Sequence, residues 1–512
     1  MSTPRLSFHA RSVGALVLAC SLTTAGCMPG APDESGGTSD SLTISQSVDV
    51  STLDPQMQGT MTDMSVLINV FDTLTTRDEN NELAPALATD WKAVDDHTWR
   101  FEIRKGVKFH NGEPLDADAV AYSINRILNP KTKSPIGELT LVKDVTAVDK
   151  HTVDFAMKEP DPILPEKLAL FGGVVVPPGY LDKAGGDKFA KDPVGTGPYK
   201  FKEWDRGDKV VLEANPDYWG GAPKVKRLVF RKIPNAADAL AAARTGEVDI
   251  VSGLTPDAAA QIKGSSDVKT LATPGIRTFS VSLDQESGGP LADRRVRQAL
   301  NYAVDVPALV KSVMGGYAER VPTLLPKQSD AYNPEVTPYQ HDPERAKKLL
   351  AAAGHKNGLK IALSATNEDT TVVQAIAGQL KKVGVEVDVN VMDPGTFESR
   401  SLAQDAGDLD PMFYFGSTPW TLSGWSSFGG YVPNVATKSR FDNAEADRLF
   451  KIVESEQGAK QQKAADELQV LLKEEAPFIY LWQMQNVYAV NPDVSWRPGT
   501  IGLLRMHEAS LR

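Results

Sequence analysis

The chain has 512 residues, of which 41% are hydrophobic and 24% charged, and a formal net charge of −11. That length exceeds what one compact core organises, so two or three domains are expected, and the composition is that of a soluble globular protein. The acidic balance argues against nucleic acid and anionic lipid as partners, and seven scattered histidines leave little material for a metal site.

Both cysteines, Cys20 and Cys27, lie near the N-terminus. A chain without cysteine beyond position 27 contains no internal disulfide and no thiolate metal site there. Residues 1–27 carry Arg5 and Arg11, then an apolar run over 13–22, then Thr23-Thr24-Ala25-Gly26 directly before Cys27. This is the layout of a secretory signal peptide, too short for a transmembrane helix. Small residues before a cysteine resemble a bacterial lipobox, in which the cysteine is lipidated and becomes the mature N-terminus. Thr24 departs from the more usual leucine. Cys20 is a competing site that leaves a very short apolar region, and an ordinary secretory signal is the bland alternative. Residues 28–41 are rich in Gly, Ser, Pro and acids and read as a flexible tether.

Leu42-Thr43-Ile44 starts the first strand, followed by T-L-D-P (52–55), a helix over about 61–71 and Asp72-Thr73-Leu74. L-A-P-A-L-A-T-D-W spans 83–91. Trp99, Phe101 and Ile103 alternate with Arg100, Glu102 and Arg104, the period of a half-buried strand. Asn111-Gly112 is turn chemistry, and Asp116 is a candidate N-cap for a helix with Val120, Ile124 and Ile127 on one face. On physical grounds this stretch is scaffold, with no nucleophile, metal cage or phosphate loop.

The order of these residues is nonetheless specific. R-K-G-V-K-F-H-N-G-E-P (104–114), preceded by an aromatic strand and followed by V-A-Y-S (120–123), closely resembles the signature of the extracytoplasmic solute-binding proteins of ABC importers, in the peptide- and nickel-binding cluster, solute-binding protein family 5. The L-D-P turn and the 83–91 element resemble that family too. The resemblance implies an α/β, two-lobe periplasmic-binding-protein type II fold with an extra subdomain in the first lobe and mixed β-sheets flanked by helices.

Further along, 145–155 reads as a hairpin around Asp149-Lys150, and 172–178 as an apolar strand closed by two prolines. D-P-V-G-T-G-P-Y-K-F (192–201) contains Gly195-x-Gly197, which suggests a nucleotide loop. No third glycine follows and Pro198 would break the helix start, so a tight turn entering a strand is the better reading. That segment and N-P-D-Y-W-G-G-A-P-K-V (215–225) also resemble the family.

Asn235 should cap an alanine-rich helix to Arg244, with Gly246 as its stop and a strand at 248–251. Pro274-Gly275 breaks the pattern before a strand at 278–283. Helices are expected over 294–304, after Asp342-Pro343 to Gly354, and over 371–383 between strands at 359–363 and 385–391. A helix over 443–474 has a break near Gly458, and strands at 477–481 and 487–490 return to the first lobe. Alternating helices and strands imply parallel pairing.

The resemblance implies these divisions: signal peptide 1–27; tether 28–41; first-lobe core 42–75, 188–275 and 485–512; extra subdomain 76–187; second lobe 276–484. It also implies a cleft ligand and a second-lobe loop with aromatic residues that wall the pocket. That loop corresponds to F-Y-F-G-S-T-P-W-T-L-S-G-W (413–425). Trp420, Trp425 and Tyr414 are the candidate aromatic contacts, with Thr418 and Asn367 as polar ones; the bland reading has the aromatics packing the core.

Peptide-binding relatives place an aspartate in this loop for the α-amino group, whereas S-T-P-W stands here. Dipeptide binders carry an arginine after the strand at 359–363, whereas T-N-E-D (366–369) stands here. A bound zwitterion would lose hydration without compensation, which weakens short peptide as the ligand.

The function implied is capture of a solute (oligopeptide, peptide-like or other small organic molecule) outside the membrane and delivery to an ABC permease. The expected state is a lipid-anchored, extracytoplasmic monomer with Cys27 as the lipidated residue. No cofactor, metal, catalysis or nucleic acid is expected. The alternatives are a surface receptor or chaperone-like protein that kept the fold, or a secreted hydrolase. Against the hydrolase stand the missing G-x-S-x-G and H-E-x-x-H motifs.

Overall fold

The computed structural model describes residues 40–401, 409–433 and 440–512. Its largest sheet is mixed. From edge to edge it runs through Val385–Met392, Leu359–Thr366, Met412–Ser417, Lys269–Leu283, Phe478–Val490, Ile250–Val251, Ser41–Gln46, Arg227–Lys232, Lys209–Ala214 and Tyr199–Asp205. The expected parallel pairing is present in both halves of the sheet, while the edge through Lys209–Ala214 and Tyr199–Asp205 is antiparallel. Ser41–Gln46 runs parallel to Arg227–Lys232 and Ile250–Val251, and Leu359–Thr366 runs parallel to Val385–Met392 and Met412–Ser417. The helix Ala236–Arg244 begins where Asn235 accepts the amides of Ala237 and Asp238, as its sequence predicts.

Two long antiparallel strands hold the sheet together. Lys269 lies opposite Val490 at one end of their ladder and Ser282 opposite Phe478 at the other, with the register shifting between Pro274 and Thr278. Phe279, Val281 and Leu283 pack with Ile479, Leu481, Trp482 and the helix Arg294–Ala303 in one core. Tyr488 and Val490 pack with Leu42, Ile44, Leu228 and Phe230 in another. The same two strands therefore serve both lobes.

A four-stranded antiparallel sheet in the order Ala88–Asp95, Thr98–Ile103, Thr152–Met157, Val142–Asp149 forms a separate layer. Phe101 and Phe155 meet on one face of that sheet with ring centres 5.0 Å apart. Val120, Ile124 and Ile127 of the helix Ala117–Leu128 share their core, and Asp116 caps that helix through the Ala119 amide.

Some expectations need correction. Pro274-Gly275 does not end a strand, because Lys269–Leu283 is continuous and absorbs the pair as a register shift. Likewise 477–481 and 487–490 belong to one strand, Phe478–Val490. The run at 172–178 is not a sheet strand. It opens with a 3₁₀ turn, Phe171–Gly173, makes one isolated bridge from Val174 to Thr73, and enters the helix Pro178–Ala184. Its apolar alternation has a different cause: Val174 and Val176 face one core while Val175 faces the subdomain core. The helix expected to Phe71 ends at Leu67, whereas the break expected near Gly458 is present: the C-terminal helix divides into Ala444–Ser455 and Gly458–Glu475 where Gly458 takes a φ of +62°.

The recognisable motifs converge on one another. Asp72 accepts hydrogen bonds at 2.8 Å from Tyr218 and Trp219 of the N-P-D-Y-W segment and from Thr196 of the G-T-G segment. His110 is wedged onto that same G-T-G turn, its Nε2 3.0 Å from the Gly197 carbonyl and its Nδ1 accepting the Gly195 amide at 3.3 Å. Arg126 forks onto Asp54 of the L-D-P turn at 2.6 Å and onto Gln56 at 2.7 Å. The glycines of G-T-G are needed for space: a Cβ at Gly195 would sit 2.1 Å from the Val70 carbonyl oxygen, and at Gly197 2.6 Å from the carbonyl carbon. No phosphate cradle is involved.

Candidate functional site

A cavity of about 620 Å³ opens where several elements end together. Ser45 and Gln46 stand at the carboxyl end of the first strand, and Val251 and Ser252 at the end of its parallel neighbour. Ala236 and Ala239 come from the first turns of the helix that crosses between strands. Open α/β sheets place ligands at such strand ends. The two shared strands contribute Ile276, Arg277 and Phe279 from one side and Met484–Tyr488 from the other, and the loop after Met412–Ser417 contributes Thr418 and Trp420. Residues of both lobes thus line one space.

Trp420 is half-buried and also lines two adjoining cavities. One, of about 540 Å³, includes Asn69, Asp72, Tyr218 and Arg505; the other includes Trp425, Phe450, Lys451 and Glu454. The loop that carries it is held in shape by Leu422, whose φ of +59° is uncommon for a branched apolar residue. Its amide bonds back to the Pro419 carbonyl, and its own carbonyl takes the Asp330 amide.

Of the residues singled out from the sequence, Thr418 and Trp420 meet in the 620 Å³ cavity. Trp425 lines the neighbouring cavity, donates to Glu454 at 3.3 Å and carries the Lys167 ammonium over its ring. Tyr414 is buried in the second-lobe core, stacked on Phe279 with ring centres 5.4 Å apart, and burial drives its phenol pKa well up. Asn367 is exposed in a single 3₁₀ turn, where its carbonyl accepts the Thr370 hydroxyl. Cys27 lies outside the described residues.

Sequence reasoning missed Arg277. The loop after the strand at 359–363 lacks the arginine of dipeptide binders, and the cation that lines the cavity stands instead on the strand shared by both lobes. The alternation I-R-T-F (276–279) is its only trace in the sequence. The Arg277 guanidinium carbon lies 4.7 Å from the centre of the Phe279 ring. Room for it depends on Gly416 across the ladder, where a Cβ would come within 2.7 Å of Nε and 2.9 Å of an Nη atom. Among the described residues no group of His, Cys, Asp and Glu is arranged to hold a metal ion, and no helix is long and apolar enough to cross a membrane.

A two-lobe α/β frame with a cavity lined from both lobes defines the protein as a binding protein of the periplasmic type. Residues 82–438 match the family described as bacterial extracellular solute-binding proteins, family 5 middle, and the chain belongs to that family, which serves ABC importers. It is similar to the glutathione-binding protein GsiB of Pectobacterium atrosepticum, 28% identical over 445 residues that cover 84% of this chain and 86% of that one. Among solved structures it is similar to HbpA2 from Haemophilus parasuis, with a TM-score of 0.83 at 23% identity, covering 92% of this chain and all of that one. It is also similar to AgaA from A. tumefacien R10 in complex with agropinic acid, with a TM-score of 0.73 at 26% identity, covering 92% and 99%.

Proposed function

We propose that the protein captures a peptide-like or other small organic solute in the 620 Å³ cavity and hands it to the permease of an ABC importer. The observation that carries this reading is the lining of one cavity by both lobes, with Trp420 and Thr418 from one and the strand ends Gln46 and Ser252 from the other. Relatives named for glutathione and agropinic acid support a small polar organic ligand. In this reading 42–75, 188–275 and 485–512 form the first-lobe core, 76–187 its extra subdomain and 276–484 the second lobe, and ligand binding closes the lobes about the shared strands. Residues 1–27 are a signal peptide, Cys27 carries the lipid anchor, and the segment from 28 up to the strand that begins at Ser41 is the tether of an extracytoplasmic monomer, one residue short of the bound expected at 41. Its work is binding rather than catalysis.

The test is extraction. Protein purified from its native host without added ligand is denatured, and the released small molecules are identified by mass spectrometry. Recovery of a stoichiometric solute, whose uptake fails when the gene is deleted, supports the proposal. An empty extract together with unchanged uptake of every solute tested overturns it.

A further inference from the structure

We propose that the cleft selects an anionic solute, with a carboxylate seated on Arg277 and no ammonium group. This rests on the reading of the cleft as the solute site. Among the described residues that line the cavity, Arg277 is the one that carries a charge. The rest of the polar lining is neutral, supplied by groups such as Gln46, Ser252, Thr418 and Gln485. A carboxylate brought into this space finds a guanidinium fork; an ammonium finds no counter-charge and would lose its hydration shell for neutral partners.

The guanidinium is kept for an incoming group. It rests on the Phe279 face, and it forms no hydrogen bond or ion pair with a described residue. Asp369 is the acid whose charge reaches it, yet that carboxylate is turned to the Thr366 hydroxyl at 2.6 Å and does not line the cavity. In the adjoining 540 Å³ cavity Asp72 is engaged by three donors, Asp78 by the Asn80 and Glu82 amides and Glu79 by Arg497, which leaves Glu508 as the acid there with no such partner among the described residues. Gly416 preserves the seat, since any side chain there would push Arg277 aside.

The chemistry that fits is a carboxylic acid whose nitrogen is acylated, such as an N-acylated amino acid or a peptide blocked at its amino end. The probes are a set of dipeptides, each as the free zwitterion, the N-acetyl acid and the N-acetyl amide, read by calorimetry and by melting temperature. N-acetyl acids should bind at least about tenfold more tightly than either counterpart, the difference one charge-assisted pair makes. Arg277→Gln should reduce the acids to the level of the amides with an unchanged melting temperature. Gly416→Ala should do the same while leaving the charge in place. Zwitterions or amides that match the acids overturn the inference, as does an Arg277→Gln variant with undiminished preference or a set in which nothing binds. The broader reading fails separately: a native extract holding an ammonium-bearing solute leaves transport standing and sinks the anion, whereas an empty extract with unchanged uptake sinks transport.

Discussion

The ammonium of Lys167 lies 4.5 Å from the centre of the Trp425 ring while bonded at 2.7 Å to Asp161. Lys167 follows the extra subdomain's sheet in the chain, and Trp425 belongs to the second-lobe loop, so a subdomain cation is docked on the segment that lines the cavities. Arg77 makes a second tie, donating to the Thr421 carbonyl and standing 3.9 Å from Asp330. Under the proposed closure these contacts join parts that separate when the cleft opens. Trp425→Ala removes the ring face but leaves the buried Lys167–Asp161 pair intact. The ligand-free variant should show a larger radius of gyration in solution scattering than wild type, and Arg77→Ala should act in the same direction. Identical profiles for all three proteins would mean that the seam does not bias closure.

Asp72 ties three segments of the chain, and its loss should be felt as stability. Burial raises its pKa, while the hydrogen bonds from Trp219, Thr196 and Tyr218 pull it back. Asp72→Ala strands those donors and should cost about 3 kcal/mol in denaturant unfolding. Asp72→Asn keeps the size but turns one acceptor into a donor facing a donor, so it should lie between alanine and wild type. Equal stability for all three would show that water replaces the carboxylate.

His110 gives a pH prediction with a definite sign. Its Nε2 faces the Gly197 carbonyl and must donate, and its Nδ1 accepts the Gly195 amide, so the fold requires the neutral ring. Burial lowers its pKa from 6.5 to about 4, against a smaller upward pull from the Gly197 carbonyl. A histidine lowered in this way favours folding above 6.5, and that contribution is lost as pH falls from 6.5 toward 4, because the unfolded chain takes up the proton first. Glu166 works the other way: burial raises it from 4.5 to about 7, so its contribution grows as pH falls through 7 toward 4.5. The two opposing effects overlap, so melting temperature alone does not separate them. Nitrogen chemical shifts of the His110 ring should report the neutral Nε2–H form at pH 5; an imidazolium signal there would refute the assignment.

How much of this was legible beforehand follows from what each motif does. Asp54, His110, Gly195, Thr196, Tyr218 and Trp219 form a hydrogen-bonded and close-packed scaffold. Backbone space and buried donors fix their identities regardless of ligand, so their order is specific to the fold and silent about the solute. Arg277 and Gly416 are the reverse. Their role is set by a cross-strand pairing 137 positions apart, as Gly416 stands opposite Phe279 and Arg277 stacks on that same ring. No local spacing reveals such a relation. Tyr414 shows the limit of alternation as a guide, because its strand has Met412, Phe413, Tyr414 and Phe415 all buried, with cores on both faces.

The anchor makes a prediction independent of the fold. In the native host, Cys27→Ala should move the protein from the membrane fraction to the soluble or secreted fraction and leave its melting temperature unchanged, since the residues between Cys27 and the strand Ser41–Gln46 read as a tether without a core. Retention in the membrane fraction at wild-type level would exclude Cys27 as the lipidated residue and turn attention to Cys20.

Two tryptophans separate pocket from core. Trp420 is half-buried, borders the 620 Å³ cavity and both its neighbours, and its indole N–H makes no hydrogen bond to a described residue. Trp482 is fully buried in the second-lobe core, on the strand that both lobes share. Trp420→Ala removes aromatic surface that a bound solute would cover, so it should cost about 2 kcal/mol of binding, as buried anchors do, with little change in melting temperature. Trp482→Ala leaves a large void where neighbouring side chains cannot all collapse, and should cost about 3–5 kcal/mol of stability. Its residual binding, measured well below its melting temperature, should stay near wild type if the strand keeps its register. The comparison needs calorimetry with the solute recovered by extraction and thermal unfolding of both variants. A Trp420→Ala protein that unfolds early yet binds normally would assign this ring to the core and leave Arg277 and Phe279 as the cavity's contribution from the shared strand.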